Sequence, residues 1–396
     1  MVMQKARVTL AATWLCAAIA CGEQRPTLAP AVARAPRTSA SASVWPDGSA
    51  LFRSDPTWAG ADSAYSVELG PRRVLWLFGD TFIDPAADGS RANGPNFFIR
   101  NSVAIQSDPS DAHDASRAAI AFYWGPARDG APSSFFHDID GAERWLWPLS
   151  GARLPSGVLL LFRMVLEKVE GGLGFAVRGW DAVAIDDPDA LPSAWQPRVV
   201  QAQSNDPAVL LGTSVLVHDG HLYAYATRND DREHTMYLAR WPLAALARVP
   251  AGALQAPEWF TRAGFRTHDR SDQPVPLSAL SPLFMDGQTE LSVHHDRASK
   301  RFIELQVRGL SLADPSTVLA YRTAPRPEGP WSELIPLLRP PQAARDDVQH
   351  LVAYAGKAHP EQAGPGLVAS YVVHSLAAPL PPDALYFPEL VRVQLP

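Results

Sequence analysis

Five short apolar runs constrain the fold of this chain more than any other feature. They occupy residues 74–78, 158–162, 222–226, 302–306 and 367–371. Runs of about five apolar residues that follow a Gly or a turn, without a helical period, are typical of buried strands. Each run is preceded and followed by a further strand-like segment. The chain is therefore expected to repeat an antiparallel unit in which the apolar run is the second strand.

Five copies of such a unit predict an all-β, single-domain fold over residues 44–396, a five-bladed β-propeller. Fourth strands are predicted to begin near Trp124, Trp195, Trp259 and Trp331. The last unit shows no fourth strand, so residues 44–53 are expected to supply it and close the ring, which would hide the sheet edges. A two-sheet sandwich is the alternative fold that the pattern leaves open.

The first 21 residues have the pattern of an export signal. Two basic residues precede an apolar stretch, residues 8–20, that is too short to span a bilayer. The stretch ends in Ala-Ile-Ala before Cys21, which resembles a bacterial lipobox and predicts that Cys21 carries lipid. An ordinary secretory signal is the alternative. Residues 22–43 are rich in Ala, Pro, Ser and Thr and are predicted to be a disordered tether.

These features predict a lipoprotein of the bacterial cell envelope, whose N-terminal lipid is its only contact with a membrane. The net charge is -6 and no basic block is present, so nucleic acid is not an expected partner. The only cysteines are Cys16 and Cys21, so the body of the chain is expected to lack disulfides and cysteine sites. Nucleophile-elbow, zinc-protease and nucleotide-binding motifs do not occur. We expect a monomer without a cofactor or metal.

Three acidic residues fall where antiparallel strands share one rim of a propeller. Asp62 precedes the first strand of the first unit, Asp80 follows its second strand, and Glu290 begins the first strand of the fourth unit. Paired carboxyl groups at one opening suit glycoside hydrolysis, because mutual repulsion keeps one protonated while another stays ionised. All three are predicted to be catalytic. In the plainer reading, the two aspartates are turn residues and Glu290 lies on a solvated strand face.

Further polar and aromatic residues are predicted to contact a polysaccharide or oligosaccharide. Trp147 offers a surface on which a sugar ring could stack, whereas the others follow second strands or end the innermost strand of the fifth unit. A loop or packing role is the alternative for His359, which precedes a proline. The predicted substrate-binding residues are Trp147, Arg163, Arg228, Asn229, His359 and Glu361.

The segment 60–62 (Gly-Ala-Asp) and the segment 76–82 (Trp-Leu-Phe-Gly-Asp-Thr-Phe) together resemble the opening motif of the bacterial family called domain of unknown function 4185. That resemblance implies a five-bladed propeller akin to arabinanase-type glycoside hydrolases, some members being assigned as endo-acting arabinanases. It further implies Asp62 as base or nucleophile, Glu290 as acid and Asp80 as a positioning group. A non-catalytic carbohydrate-binding lipoprotein on the same scaffold is the alternative function, and a protein-interaction propeller is a third.

Overall fold

The computed structural model describes residues 39–88, 91, 97–108, 119–139, 143–229, 234–247, 249, 254–269, 272–362, 364, 366–377 and 385–396. Regular structure in these residues is almost entirely β. Helix is limited to α1 (Pro46–Ser49) and to 3₁₀ turns at Ala50–Arg53, Pro192–Ala194, Leu243–Leu246, Leu277–Ala279 and Pro341–Ala344. The prediction of an all-β chain is confirmed. No helix in the described part is long and apolar enough to cross a membrane.

The described strands are short, and they follow one another with few interruptions. In chain order they are β1 (Ser41–Val44), β2 (Trp58–Ala61), β3 (Tyr65–Gly70), β4 (Arg73–Phe78), β5 (Thr81–Ile83), β6 (Phe97–Ile99), β7 (Ser102–Ser107), β8 (Ala119–Tyr123), β9 (Gly125–Arg128), β10 (Ala131–Ser133), β11 (Arg144–Arg153), β12 (Leu159–Lys168), β13 (Phe175–Ile185), β14 (Arg198–Ser204), β15 (Leu210–His218), β16 (His221–Asn229), β17 (His234–Pro242), β18 (Glu258–Thr261), β19 (Gly264–Arg266), β20 (Ser292–Asp296), β21 (Arg301–Arg308), β22 (Val318–Ala324), β23 (Ile335–Leu338), β24 (Leu351–His359), β25 (Leu367–Ser375) and β26 (Pro388–Gln394).

Most of these strands belong to antiparallel sheets of four or five strands, which we number in chain order. Sheet 1 is β3-β4-β7-β8, sheet 2 is β11-β12-β13-β14, sheet 3 is β15-β16-β17-β18-β19, sheet 4 is β20-β21-β22-β23, and sheet 5 is β24-β25-β26-β1. Each predicted apolar run lies in or largely within the second strand of its sheet. Two smaller sheets, β2-β5-β6 and β9-β10, are additions to this repeat.

The first strands of the numbered sheets are neighbours in space. β3 packs beside β11, β11 beside β15, β15 beside β20, and β20 beside β24. From β24 contact returns to sheet 1, since His359 Nδ1 and Ser66 Oγ lie 2.6 Å apart. Consecutive antiparallel sheets whose first strands adjoin one another are the arrangement of β-propeller folds. Residues at the ends of these adjoining first strands therefore lie close together although they are distant in sequence.

The strand that completes sheet 5 comes from a different place than predicted. β1 pairs with β26, Ser41 lying opposite Gln394 and Val44 opposite Val391. Residues 46–53 form α1 and a 3₁₀ turn instead of the predicted strand. Pro46 explains the boundary, because it lacks an N–H for the ladder and disfavours continued pairing.

Two other predicted boundaries change. The predicted tether, residues 22–43, ends earlier, because residues 41–43 belong to β1. Its remainder up to residue 38 lies outside the described residues, as does the predicted signal segment with Cys21. In sheet 1 the fourth strand, Ala119–Tyr123, ends before Trp124 rather than beginning there.

Candidate active site

Two of the predicted catalytic residues, Asp62 and Asp80, are joined through their backbones at one end of sheet 1. The Asp62 N–H donates to the Asp80 carbonyl at 3.3 Å, and the Gly79 N–H donates to the Asp62 carbonyl at 3.3 Å. Residues 74–78 of β4, directly before Gly79, are buried, which fixes the position of Asp80. A Cβ on Gly79 would lie 2.5 Å from Asp62 Oδ1, so glycine provides the space that the carboxyl group occupies.

The carboxyl group of Asp62 lies among hydroxyl groups and other carboxyl groups. The Tyr354 hydroxyl donates to Asp62 Oδ2 at 3.0 Å, and the Tyr386 hydroxyl also bonds to this side chain. Burial, followed by the negative charges of Asp80 and Glu290, raises the Asp62 pKa well above 3.8, against the lowering effect of both tyrosines. The three predicted carboxyl groups therefore share one electrostatic environment, although they come from sheet 1 and the entrance to sheet 4.

Asp80 is held by residues next to and within sheet 2. The Trp147 Nε1–H donates to Asp80 Oδ1 at 2.8 Å, and Arg100 Nη1 lies 3.6 Å from Asp80 Oδ2. The Arg100 guanidinium lies over the Trp145 ring at 4.2 Å, which fixes its plane. Burial raises the Asp80 pKa to about 6, although Arg100 and Trp147 oppose the increase. The side chain nevertheless remains 16% exposed to solvent.

Glu290 lies in the bend just before β20 rather than inside the predicted alternating strand. Its Oε1 is 2.9 Å from Lys357 Nζ, and the glutamate side chain is 20% exposed while the lysine is 1% exposed. The same ammonium donates to the Ser63 carbonyl at 2.5 Å. A residue of sheet 5 thus connects the carboxyl group before sheet 4 to the turn that carries Asp62.

Among the predicted substrate-binding residues whose side chains are described, only Trp147 contacts the carboxyl groups of Asp62, Asp80 and Glu290. Arg163 is buried in a two-bond ion pair with Asp181, at 2.8 and 2.7 Å. Two of its donors are thereby used, so the predicted substrate contact is not supported. Arg228 lines a cavity of about 570 Å³ with Tyr237 and residues of the loop before β20. Asn229 ends β16, but its side chain lies outside the described part.

Burial argues against the predicted substrate contacts of His359 and Glu361, whose side chains are 0% and 8% exposed. His359 is 0% exposed, and its Nδ1 and Nε2 lie 2.6 and 2.8 Å from the hydroxyl oxygens of Ser66 and Ser370. Burial lowers the His359 pKa to about 3 and raises the Glu361 pKa to about 7. The first strands run in one direction, so the end of β24 lies away from the opening where Tyr354 meets the acids. His359 is a packing residue here.

Four residues of the site were absent from the predicted set: Arg100, Tyr354, Lys357 and Tyr386. Lys357 left one signal, since it is a charged residue inside an apolar strand segment at 351–358. The other three are ordinary for their segments, and only their contacts reveal them. Among the described residues, no group of three or more His, Cys, Asp or Glu side chains is arranged to hold a metal ion.

Comparison with known proteins gives the family. Residues 49–377 match the model of a family described as "Domain of unknown function (DUF5005)", so the domain 4185 family suggested by the opening motif is corrected. No curated protein matches. A crystal structure of a candidate hydrolase from Bacteroides ovatus is similar, with a TM-score of 0.65 and 16% identity over 89% of this chain and 90% of that one.

Arabinofuranosidases are also similar, at lower TM-scores. The GH62 alpha-L-arabinofuranosidase catalytic domain of Coprinopsis cinerea has a TM-score of 0.42 and 12% identity over 85% of this chain and 90% of that one. The alpha-L-arabinofuranosidase of Lactobacillus brevis has a TM-score of 0.45 and 14% identity over 86% and 91%. At these identities the likeness of the Bacteroides structure concerns the fold alone. The family match covers most of the chain, which therefore belongs to the DUF5005 family.

Proposed function

We propose that this protein is a glycoside hydrolase that acts on a polysaccharide outside the inner membrane. Sheets 1 to 5 would be the five blades of a closed propeller, and the site would lie at the opening formed by their first strands. One observation carries the proposal: three carboxyl groups meet, because the Asp62 N–H bonds to the Asp80 carbonyl at 3.3 Å and Lys357 bonds both to Glu290 Oε1 and to the Ser63 carbonyl beside Asp62.

Glycoside hydrolysis needs one protonated carboxyl group and one ionised carboxyl group on opposite sides of the scissile bond. The raised pKa of Asp62 suits the general acid, which donates its proton to the leaving oxygen. Glu290 is ion-paired with Lys357 and suits the base or nucleophile. Asp80 contributes the negative charge that keeps a proton on Asp62. This assignment exchanges the roles that the family resemblance implied for Asp62 and Glu290.

The test is digestion of a polysaccharide panel that begins with arabinan, using protein that starts at residue 22. Asp62→Asn and Glu290→Gln should each lower kcat by about 10² to 10⁴-fold with little change in Tm. Aryl glycosides with good leaving groups separate the roles. The variant lacking the acid should retain activity on them, whereas added azide should rescue the variant lacking the base or nucleophile. Full activity of both variants would refute the proposal.

A specific observation favours the second candidate, a non-catalytic carbohydrate-binding protein. Every one of the three carboxyl groups already has a partner within the protein: Tyr354 for Asp62, Trp147 for Asp80, and Lys357 for Glu290. Carboxyl groups that are already held by such partners can serve as a rigid polar surface for binding. This candidate predicts glycan binding by calorimetry without release of reducing ends, and measurable turnover by the wild type excludes it.

We also propose that the chain is exported and anchored in the bacterial cell envelope through lipid on Cys21. The basic residues, apolar stretch and small residues before Cys21 support this proposal. In cells given radiolabelled palmitate, the wild type should incorporate label and partition with membranes. Cys21→Ser should lose both properties, and a labelled Cys21→Ser protein would contradict the anchor.

A further inference from the structure

The first strands of sheets 2 to 5 are linked by a repeated hydrogen bond. Ser150 Oγ accepts from the Val215 N–H at 3.1 Å, and Ser214 Oγ accepts from the Val293 N–H at 2.7 Å. In the next step, Ser292 Oγ accepts from the Ala358 N–H at 2.7 Å. In each case the donating N–H belongs to the residue that follows the equivalent position in the next strand. The repeat thus identifies one equivalent position in each of these strands.

At this equivalent position sheet 5 carries Lys357, because Lys357 immediately precedes Ala358 as Ser292 precedes Val293. A hydroxyl group is sufficient for the link between strands, as the serines show. Lysine is seldom buried unless its charge is paired, since removing an ammonium from water costs several kcal/mol. Lys357 is 1% exposed, and burial lowers its pKa below 10.5. The strand link alone therefore does not explain why sheet 5 has a buried lysine where sheets 2 to 4 have serine.

The contacts of the Lys357 ammonium supply that reason. It bonds to Glu290 Oε1 at 2.9 Å and to the Ser63 carbonyl at 2.5 Å, and it lies 4.2 Å from the centre of the Tyr65 ring. Asp62 acts on it as well when its carboxyl group is ionised, and His359 is a further titratable group within its field. Each neighbour except His359 belongs to the carboxyl site or to the turn beside it.

The turn that carries Asp62 needs external support. Ser63 and Ala64 have φ values of 67° and 50°, in the left-handed region that non-glycine residues adopt at a cost. The Lys357 ammonium holds the carbonyl of Ser63, the residue directly after Asp62. One buried charge thereby fixes two of the reacting carboxyl groups relative to each other, although they belong to different sheets.

We propose that Lys357 is a positioning residue for the glycosidase site: its ammonium orients Glu290 and holds the turn that carries Asp62. This role rests on the proposed function. It is distinct from a purely structural role, because a structural lysine would affect stability without affecting the pH dependence of the reaction. It predicts that the distance between the two carboxyl groups depends on this one ammonium.

The test compares Lys357→Met and Lys357→Ser with the wild type, and uses Ser214→Ala as the matched control. Serine is the residue that the fold accepts at the equivalent positions, so Lys357→Ser should fold. We expect kcat to fall about 100-fold in both lysine variants with little change in KM, as displacement of a reacting group by about 1 Å produces. The basic limb of the pH–rate profile should move to higher pH, because the general acid Asp62 loses a positive charge that favours its ionised form.

Ser214→Ala removes the same kind of strand link far from the acids in sequence. It should lower Tm but leave kcat and the pH–rate profile unchanged. A second readout needs no substrate: the double variant Lys357→Met/Glu290→Gln should lose less Tm than the sum of the two single losses, because both changes remove the same ion pair.

The outcomes separate the two proposals. If the wild type hydrolyses no glycan, the proposed function fails and the catalytic role of Lys357 fails with it. If the wild type is active but Lys357→Met keeps its kcat and pH–rate profile, only the role of Lys357 is overturned. The pairing would also be overturned if the double variant lost as much Tm as the two single variants lose together.

Discussion

Replacement of Asp80 by asparagine should stabilise the protein relative to the wild type, and this gain should be larger at neutral pH than at acidic pH. Burial raises the pKa of Asp80 from 3.8 to about 6. The folded protein therefore binds the proton of this group more tightly than the unfolded chain does, and ionisation of Asp80 lowers stability. The cost is absent below about pH 3.8, grows between the two pKa values, and is complete above about pH 6.

The size of the effect follows from the same pKa values. Each pH unit between folded and unfolded pKa corresponds to about 1.36 kcal/mol, so ionised Asp80 costs about 3 kcal/mol above pH 6. Asparagine carries no such cost and can still accept the Trp147 Nε1–H bond. It loses the charge contact with Arg100, which is 33% exposed and worth about 1 kcal/mol or less. The pH-dependent part of the difference does not depend on that loss.

Urea unfolding between about pH 4 and about pH 8 measures this difference. Relative to the wild type, the free energy of unfolding of Asp80→Asn should rise by about 2.5 kcal/mol across that range, most of it below pH 6, because a small part of the cost is already present at pH 4. Glu170→Gln removes an exposed carboxyl group and is the matched control, whose curve should run parallel to that of the wild type. Parallel curves for Asp80→Asn, or a difference of opposite sign, would refute the reasoning about burial.

Two further changes test the site and its support. Arg163→Ala should lower the free energy of unfolding by about 3 to 5 kcal/mol, because Asp181 would remain buried without its partner. The double variant Arg163→Met/Asp181→Leu should recover most of that loss. Equal losses for the two variants in urea titrations would contradict this. Gly79→Ala places a Cβ 2.5 Å from Asp62 Oδ1. The side chain can swing away, so we expect kcat to fall about 100-fold with little change in Tm, and an unchanged kcat would show that Asp62 tolerates displacement.

The strands were predictable because their signal is local. In β4 an uninterrupted apolar run starts after a turn and stops at Gly79, and such a run buries itself in whatever sheet forms. The same reasoning located the second strand of every numbered sheet. It failed where a single residue decides a boundary, as Pro46 does by ending β1 and starting α1.

The acids were predictable for a related reason, because a carboxyl group directly after a buried strand must lie at a sheet end. Their partners were not predictable. Tyr354 contacts Asp62 across 292 positions of the chain, and Lys357 contacts Ser63 across 294. Such contacts depend on which sheet lies beside which. His359 shows the opposite error, since a polar residue at a strand end looked accessible but lies inside.

By itself, the sequence determined that the described part of this protein is almost entirely β, that its strands come in repeated antiparallel units, and that Asp62, Asp80 and Glu290 lie next to strand ends. Strand period, turns and the burial of apolar runs depend on a few neighbouring residues, so they can be predicted from the sequence. Only the tertiary structure decided that Lys357, Tyr354 and Arg100 surround those acids. Charges acquire their effect on one another through distance in space, and the packing of sheets sets that distance.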